Sequence, residues 1–317
     1  MKEIKISEKE NGKRADIGLS AILDISRSQI DQMIKSKKIL HFSKKALSKS
    51  YILQIDDKFI IDDTKNAKTI PTIDIELLYD DKDIVVVNKP SGVATHAAKS
   101  FSGPDVVSSL IAQKVLPKIE DSQIKIDERY LDSENIQPPG IVSRLDVGTS
   151  GVLLICKTQI AYNSMLEDFK THSNIVKNYI AAVQGHLEEK FATIDSPIGR
   201  SKKRKFRFAV VENGKRAITH YKVRKSYSAA DLVDIELDTG RTHQIRVHFS
   251  EMGHPVLGDT FYGASPTLAS DYRLIRPFLH SAKLEIMHPI LKKKMKFTSS
   301  LPDDLMKTLR LLENKEL

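Results

Sequence analysis

Between residues 14 and 34 apolar side chains recur at helical spacing. Ala15, Leu19, Ile22 and Leu23 make one stripe, and Ile30, Met33 and Ile34 make a second. Ser26 opens the second helix. Gln29 stands three residues on and completes a capping box, and Ile25 can staple onto Ile30. Arg27, Lys35, Lys37 and Lys38 fall on or just after that helix and leave it a basic surface. The strand-like run Ser-Tyr-Ile-Leu-Gln-Ile (50–55) leads to a turn at Asp56-Asp57 and a further strand over 59–61. Residues 1–62 thus describe a small α/β module. Residues 63–73 lack periodicity, contain Pro71 and predict a linker.

From 74 onward the pattern is mixed. Apolar runs predict strands over 84–87, 152–156, 179–183 and 232–237. In the last, Val233, Ile235 and Leu237 alternate with Asp234 and Glu236, as a strand with one wet face should. Tyr162, Met165, Leu166 and Phe169 share one side of a helix, and residues 117–139 are polar and irregular, a predicted loop. Strands outnumber helices and their connections vary in length. The expectation for 74–317 is an α+β domain on a mixed, largely antiparallel sheet with flanking helices and loops.

Composition narrows the classes. In 317 residues, 40% are hydrophobic and 29% charged, and the net charge is +9 with a pI near 9.3. A polyanionic partner is therefore a reasonable first expectation. The N-terminus shows no apolar targeting segment and no run is long enough for a membrane span, so a cytoplasmic protein without a membrane partner is expected. The single Cys156 excludes an intrachain disulfide and a multi-cysteine zinc site. His243, His248 and His254 come without a carboxylate-rich helix motif and read as structural, so no metal is expected. No phosphate loop or dinucleotide fingerprint is present, so no cofactor is expected.

Two polar clusters interrupt the apolar pattern. Val-Ser-Arg-Leu-Asp-Val-Gly-Thr-Ser-Gly (142–151) sets Asp146 beside Arg144 in a glycine-rich turn, where Gly148 and Gly151 give the backbone freedom and Thr149 and Ser150 supply local hydrogen bonds. Thr-Gly-Arg-Thr-His-Gln-Ile-Arg-Val-His (239–248) starts a predicted helix with Ile245, His248, Phe249 and Met252 at core spacing and Arg246 on another face. A carboxylate held by guanidinium groups keeps its charge even when sheltered, as a nucleophile or base must. A third feature is the basic stretch 200–225, from Arg200 through Lys203, Arg204 and Lys205 to Lys225. With Phe206, Phe208 and Tyr221 interleaved, it predicts a β-hairpin turning at Asn213-Gly214 that contacts phosphates.

These segments resemble the signature motifs of the RluA/RluD-type pseudouridine synthases, with Ser143 where that family usually has His. Asp83-Ile-Val-Val-Val-Asn-Lys-Pro-Ser-Gly (83–92), Lys177-Asn-Tyr179, Gly253-His-Pro-Val-Leu-Gly-Asp259 and Leu279-His280 continue the likeness. It spans about 74–300, and residues 1–62 resemble the alpha-L RNA-binding module. The resemblance implies a synthase that turns a uridine of structured RNA into its C-glycoside isomer. Large-subunit ribosomal RNA is the expected substrate and transfer RNA the other class open. It makes Asp146 the residue that starts the chemistry, by attack on C1′ or removal of a ribose proton, and Arg246 its partner, with Arg241 the second candidate. Tyr179 would lie against the uracil as a third catalytic residue, holding the base and assisting proton transfer from C5, and Lys89, His280 and Asp259 would be supporting structure. RNA contacts would come from Arg144, which would help hold the nucleotide out of its helix, and from Arg241, Arg27, Lys203, Arg204 and Lys205. The protein is expected to act as a monomer. The competing expectations are a non-catalytic RNA-binding assembly factor and, last, a hydrolytic nucleosidase.

Overall fold

The computed structural model describes residues 2–43, 47–61, 71–97, 101–125, 140–202, 204 and 207–314. The chain divides into two compact units, at 1–69 and 70–317. Most of the predicted linker, and residues 126–139 of the predicted loop, lie outside the described residues.

In the first unit β1 (Lys2–Lys5), β2 (Ile39–His41) and β3 (Lys58–Ile61) form an antiparallel sheet in the order β1-β3-β2. Helices α1 (Ala15–Leu23) and α2 (Arg27–Lys35) cover it. The predicted capping box is present: the Ser26 hydroxyl accepts from the Gln29 N–H, and the Gln29 side chain accepts from the Ser26 N–H. Ile4, Leu19, Ile30, Leu53 and Phe59 meet in a core of the unit's own. The predicted strand at 50–55 does not form. Only Ile52 makes an isolated bridge, to Arg14, and the Leu53 side chain plugs the core. That run is apolar because it fills space, and β1 supplies the ladder to β3 instead.

The second unit is built on a nine-stranded sheet. Its strands are β4 (Glu76–Asp80), β5 (Ile84–Lys89), β6 (Ser150–Cys156), β7 (Ile175–Gln184), β8 (Phe191–Asp195), β11 (Ile218–Ser226), β12 (Ala230–Leu237), β13 (Leu279–Met287) and β14 (Lys294–Thr298). The order is β4-β5-β6-β13-β7-β12-β11-β8, with β14 paired to β13. Every pairing is antiparallel except the short parallel register of β13 with β6. The class is α+β with a mixed, largely antiparallel sheet, as the pattern predicts. A separate ribbon, β9 (Ile198–Arg200) with β10 (Phe208–Val210), stands off the sheet.

Helices α3 (Val106–Ala112), α4 (Gln159–Thr171), α5 (Gln244–Glu251), α6 (Pro266–Asp271) and α7 (Asp303–Asn314) complete the unit. All seven residues of β6 are buried, which explains its unbroken apolar run. Gly151 is demanded by the parallel junction. Its φ is +112°, and a Cβ there would come within 2.1 Å of the Ser281 carbonyl oxygen. Strands β6, β7, β12 and β13 form the middle of the sheet, and the site is built around their ends.

Candidate active site

Asp146 lies in the loop entering β6, and that loop is braced almost residue by residue. The Leu145 N–H donates to Thr95 Oγ1 (3.1 Å), and the Thr95 hydroxyl donates to the Leu145 carbonyl (2.9 Å). The Val147 carbonyl accepts the Gly92 N–H (2.8 Å). The Gly148 carbonyl accepts from Arg276 (3.1 Å), which is itself held by Asp304 (2.6 and 2.9 Å). Ser150 hydrogen bonds to His280 Nδ1 (2.9 Å), a contact 130 residues away rather than a local one. Gly148 has no left-handed backbone. Its smallness matters because a Cβ would press on Pro277 at 3.1 Å.

Lys89 ends β5 fully buried, its Nζ donating to the carbonyls of Pro90 (3.0 Å) and Val93 (2.7 Å) and reaching that of Val147 (3.5 Å). It ties the strand end to the residue next to Asp146, which fits its reading as support. Burial pushes its ammonium down to about 7, Asp146 pulls the other way, and Arg276 adds to the fall.

Arg246 comes from α5. Its Nη1 donates to Asp146 Oδ2 (3.0 Å), while Nε and Nη2 grip Asp259 Oδ2 and Oδ1 (2.6 and 3.0 Å). Burial alone would lower its pKa, but hydrogen bonding to Asp259 and the charge of Asp146 outweigh this and raise it. The guanidinium is therefore a permanent cation clamped between a sealed carboxylate and an open one. Asp259 is 1% exposed and also accepts the Tyr262 N–H (3.2 Å). Its part goes beyond the general support expected of it. A carboxylate in a Gly-x-x-x-x-Gly-Asp turn shortly after the helix bearing Arg246 was the available signal.

Arg144 is exposed at the cavity and is not the group that holds Asp146; Arg246 does that. Arg241, the second candidate partner, lines the same cavity but spends its Nε on the Arg216 carbonyl (2.9 Å). Tyr179 sits half-buried in β7, opposite Ser281 of β13, and hydrogen bonds with it. Burial pushes its phenol up to about 12, with Asp146 adding to the rise and Ser281 opposing it. Arg144, Asp146, Tyr179, Arg241, His243 and Arg246 all line one cavity of about 810 Å³. Ser143 is on its wall too. Lys170, His172 and Lys177 make another stretch of it basic.

The three histidines are separately occupied. His248 is buried between Thr219 Oγ1 and the Ser196 carbonyl (both 2.9 Å), and His254 meets the Gln184 carbonyl (3.0 Å). His243 hydrogen bonds to the Tyr262 hydroxyl (2.8 Å), and its Nε2 stands 3.8 Å from Asp146 Oδ1. The reading as structural misses this last neighbourhood.

The basic stretch forms a hairpin with a different turn. β9 and β10 are joined through 201–207, so the basic residues are themselves the loop. Asn213-Gly214 lies in a later turn, which brings Lys215 back to bridge Ile198. Arg204 is exposed, while Lys203, Lys205 and Phe206 lie outside the described residues. Arg207 stacks on Phe261 (4.6 Å to the ring centre) and Arg200 on Phe208 (5.3 Å). Tyr221 belongs to the core, against Phe249. In the N-terminal unit, Arg27 pairs with Asp16 (2.7 Å), which also holds Arg14. Among the described residues, no helix is long and apolar enough to cross a membrane.

A family model described as RNA pseudouridylate synthase matches residues 83–251. An uncharacterized RNA pseudouridine synthase of Mycobacterium bovis is 41% identical over 246 residues, 77% of this chain and 75% of that one. The ribosomal large subunit pseudouridine synthase D of Zymomonas mobilis is 31% identical, covering 98% of this chain and 97% of its own. The solved structure of human RNA pseudouridylate synthase domain containing 1 superposes with a TM-score of 0.53 at 28% identity, over 73% of this chain and 86% of that one.

Proposed function

Since the chain belongs to the RNA pseudouridylate synthase family and is an RNA pseudouridine synthase, we propose that Asp146 starts the isomerisation on a uridine of large-subunit ribosomal RNA. The observation that carries this reading is the Asp259–Arg246–Asp146 array at the cavity wall. A bidentate clamp on Asp259 fixes the guanidinium plane, leaving Nη1 to orient one oxygen of Asp146 while the other faces the cavity. The reaction breaks the bond from N1 to C1′, turns the uracil and forms the bond from C5 to C1′. The proton leaves C5 and one is gained at N1, so no redox partner or energy source is consumed. Asp146 acts at the ribose, by attack on C1′ or by removing the proton at C2′.

Tyr179 supports the base. A phenol held near 12 stays protonated, so its hydroxyl serves as a donor and its ring as a stacking face rather than as the resident base for the C5 proton. Arg144 extends from the same loop and takes the place of the extruded base, a task that suits a planar cation able to stack and to pair with phosphate. Lys203, Arg204 and Lys205 in the hairpin loop, with Arg241 at the cavity, grip the phosphate backbone. The N-terminal unit adds a second RNA contact around Arg27. The name of the Zymomonas relative and those of similar proteins supports the large ribosomal subunit as the source of the substrate.

The test is pseudouridine mapping of ribosomal and transfer RNA from cells with and without the gene. Discrete large-subunit sites should vanish and return with wild type but not with Asp146→Ala. Loss confined to transfer RNA would replace the proposed substrate, and full rescue by Asp146→Ala would overturn the role of the carboxylate.

A further inference from the structure

His243 holds the position before α5 with a φ of +56°, in the left-handed region. Three rings hold it there edge to face: Tyr262 at 5.5 Å, Phe208 at 5.8 Å and Phe261 at 6.4 Å. Such a cage fixes the direction in which the ring presents Nε2.

The hydrogen bonds favour one placement of the ring proton. The Phe208 N–H can only donate, and it donates to the Tyr262 oxygen (3.2 Å). The remaining hydroxyl proton of Tyr262 then goes to His243 Nδ1 at 2.8 Å. In that arrangement Nδ1 is the acceptor and the neutral ring carries its proton on Nε2. That N–H points toward Asp146 Oδ1 at 3.8 Å, beyond hydrogen-bond reach, because Arg246 draws the carboxylate to its other oxygen. The charged groups around the ring are Asp146, Arg246, Asp259 and Arg144. Burial lowers its pKa, so the ring stays neutral near neutral pH.

A donor without an acceptor among the described residues, one van der Waals gap from the carboxylate proposed to react, faces what that carboxylate must reach. On the reading given above, on which this step rests, Asp146 engages C1′ or C2′ of the ribose. The oxygen bonded to C2′ then comes within the same gap. We infer that His243 is a specificity-determining residue whose Nε2–H donates to the 2′-hydroxyl oxygen of the target uridine, so that the site accepts a ribonucleotide and rejects its 2′-deoxy counterpart.

The test is a cycle that crosses the side chain with the hydroxyl. A stem-loop carrying the mapped uridine is compared with one carrying 2′-deoxyuridine at that position alone. Each is given to wild type, His243→Asn, whose backbone tolerates the left-handed conformation, and His243→Gln, whose amide can replace the Nε2 donor. Single-turnover rates and equilibrium affinities are both read, so the cycle closes even where the deoxy substrate is not turned over. Wild type should lose roughly tenfold on the deoxy substrate in one or both readouts. His243→Asn should lose less than about twofold, and His243→Gln should regain part of the discrimination. An equal loss in wild type and His243→Asn, or no loss in wild type, overturns the contact. Additivity leaves the role of Asp146 intact, whereas turnover by Asp146→Ala would remove the premise itself.

Discussion

Asp146 and Asp259 bind one guanidinium but face different surroundings, and their substitution should separate accordingly. Asp146→Ala should abolish pseudouridine formation while RNA affinity, measured by filter binding, stays close to wild type. Asp259→Asn keeps the volume but loosens the clamp, so turnover should fall with little change in affinity. Arg246→Leu leaves a sealed carboxylate unpaired and should cost about 3 kcal/mol or more in denaturant unfolding. Arg246→Lys restores charge but not the fork, so stability should recover further than activity. The convergence of Asp146, Tyr179 and Arg246 was legible because each sits in a motif of fixed spacing. Asp259 and His243 were read as support, because nothing in a linear pattern says which side chain the turn at 259 will meet. Arg246 was named as the partner of Asp146 from its motif, whereas Arg144, the neighbour in sequence, was assigned to RNA and lines the cavity. In the fold, the partner comes from one hundred residues away.

At the scale of elements, the turn between β4 and β5 shows how a loop is pinned by charge. Asp81 Oδ1 accepts the N–H groups of Asp83 (2.7 Å) and Ile84 (2.8 Å), and Oδ2 accepts from the Tyr79 hydroxyl (2.8 Å) and His288 Nε2 (2.9 Å). Burial alone would raise its pKa, but the N–H groups of Ile84 and Asp83 and the side chains of Tyr79 and His288 outweigh it and hold it at about 2, against an ordinary 3.8. A depressed carboxylate stabilises the fold above its unfolded pKa and loses that contribution as pH falls through the folded one. Asp81→Asn should therefore melt below wild type at pH 7, and the gap should close between about pH 4 and pH 2, read by thermal unfolding across pH. Elements with a regular period, α1, α2 and β12, were legible, and so was the unbroken apolar run of β6. The run at 50–55 was not, since an apolar segment that plugs a core looks like a strand. The hairpin's turn was misplaced because Asn213-Gly214 is a strong turn signal, yet the chain closes its ribbon through the charged loop 201–207.

For the whole molecule, the sequence carries a net charge of +9 and divides into two compact units, of which the first is proposed to add an RNA contact of its own. Because each unit has its own core, removing residues 1–69 should leave the remaining chain folded. That truncation should weaken RNA binding and flatten its dependence on salt, with the rate at saturating RNA largely kept. An unchanged salt slope would remove the N-terminal unit from the interface. The α+β class was legible in the ratio of strands to helices. The sheet order was not, because β13 enters between β6 and β7 from far along the chain.

If Asp146 has the role proposed for it, its clamp also sets when the enzyme becomes able to react. The ribosome delivers residue 146 long before 246, and 259 later still. Until then the loop at 146 lacks both the cation that orients its carboxylate and the anion that orients the cation. β13, which seats that loop through His280 and Ser281, arrives later again, and Asp304, which holds the Arg276 that grips the Gly148 carbonyl, later than β13. A nascent chain held on a ribosome, surrounded by the RNA class it is proposed to modify, is therefore chemically silent until its C-terminal third has emerged and folded.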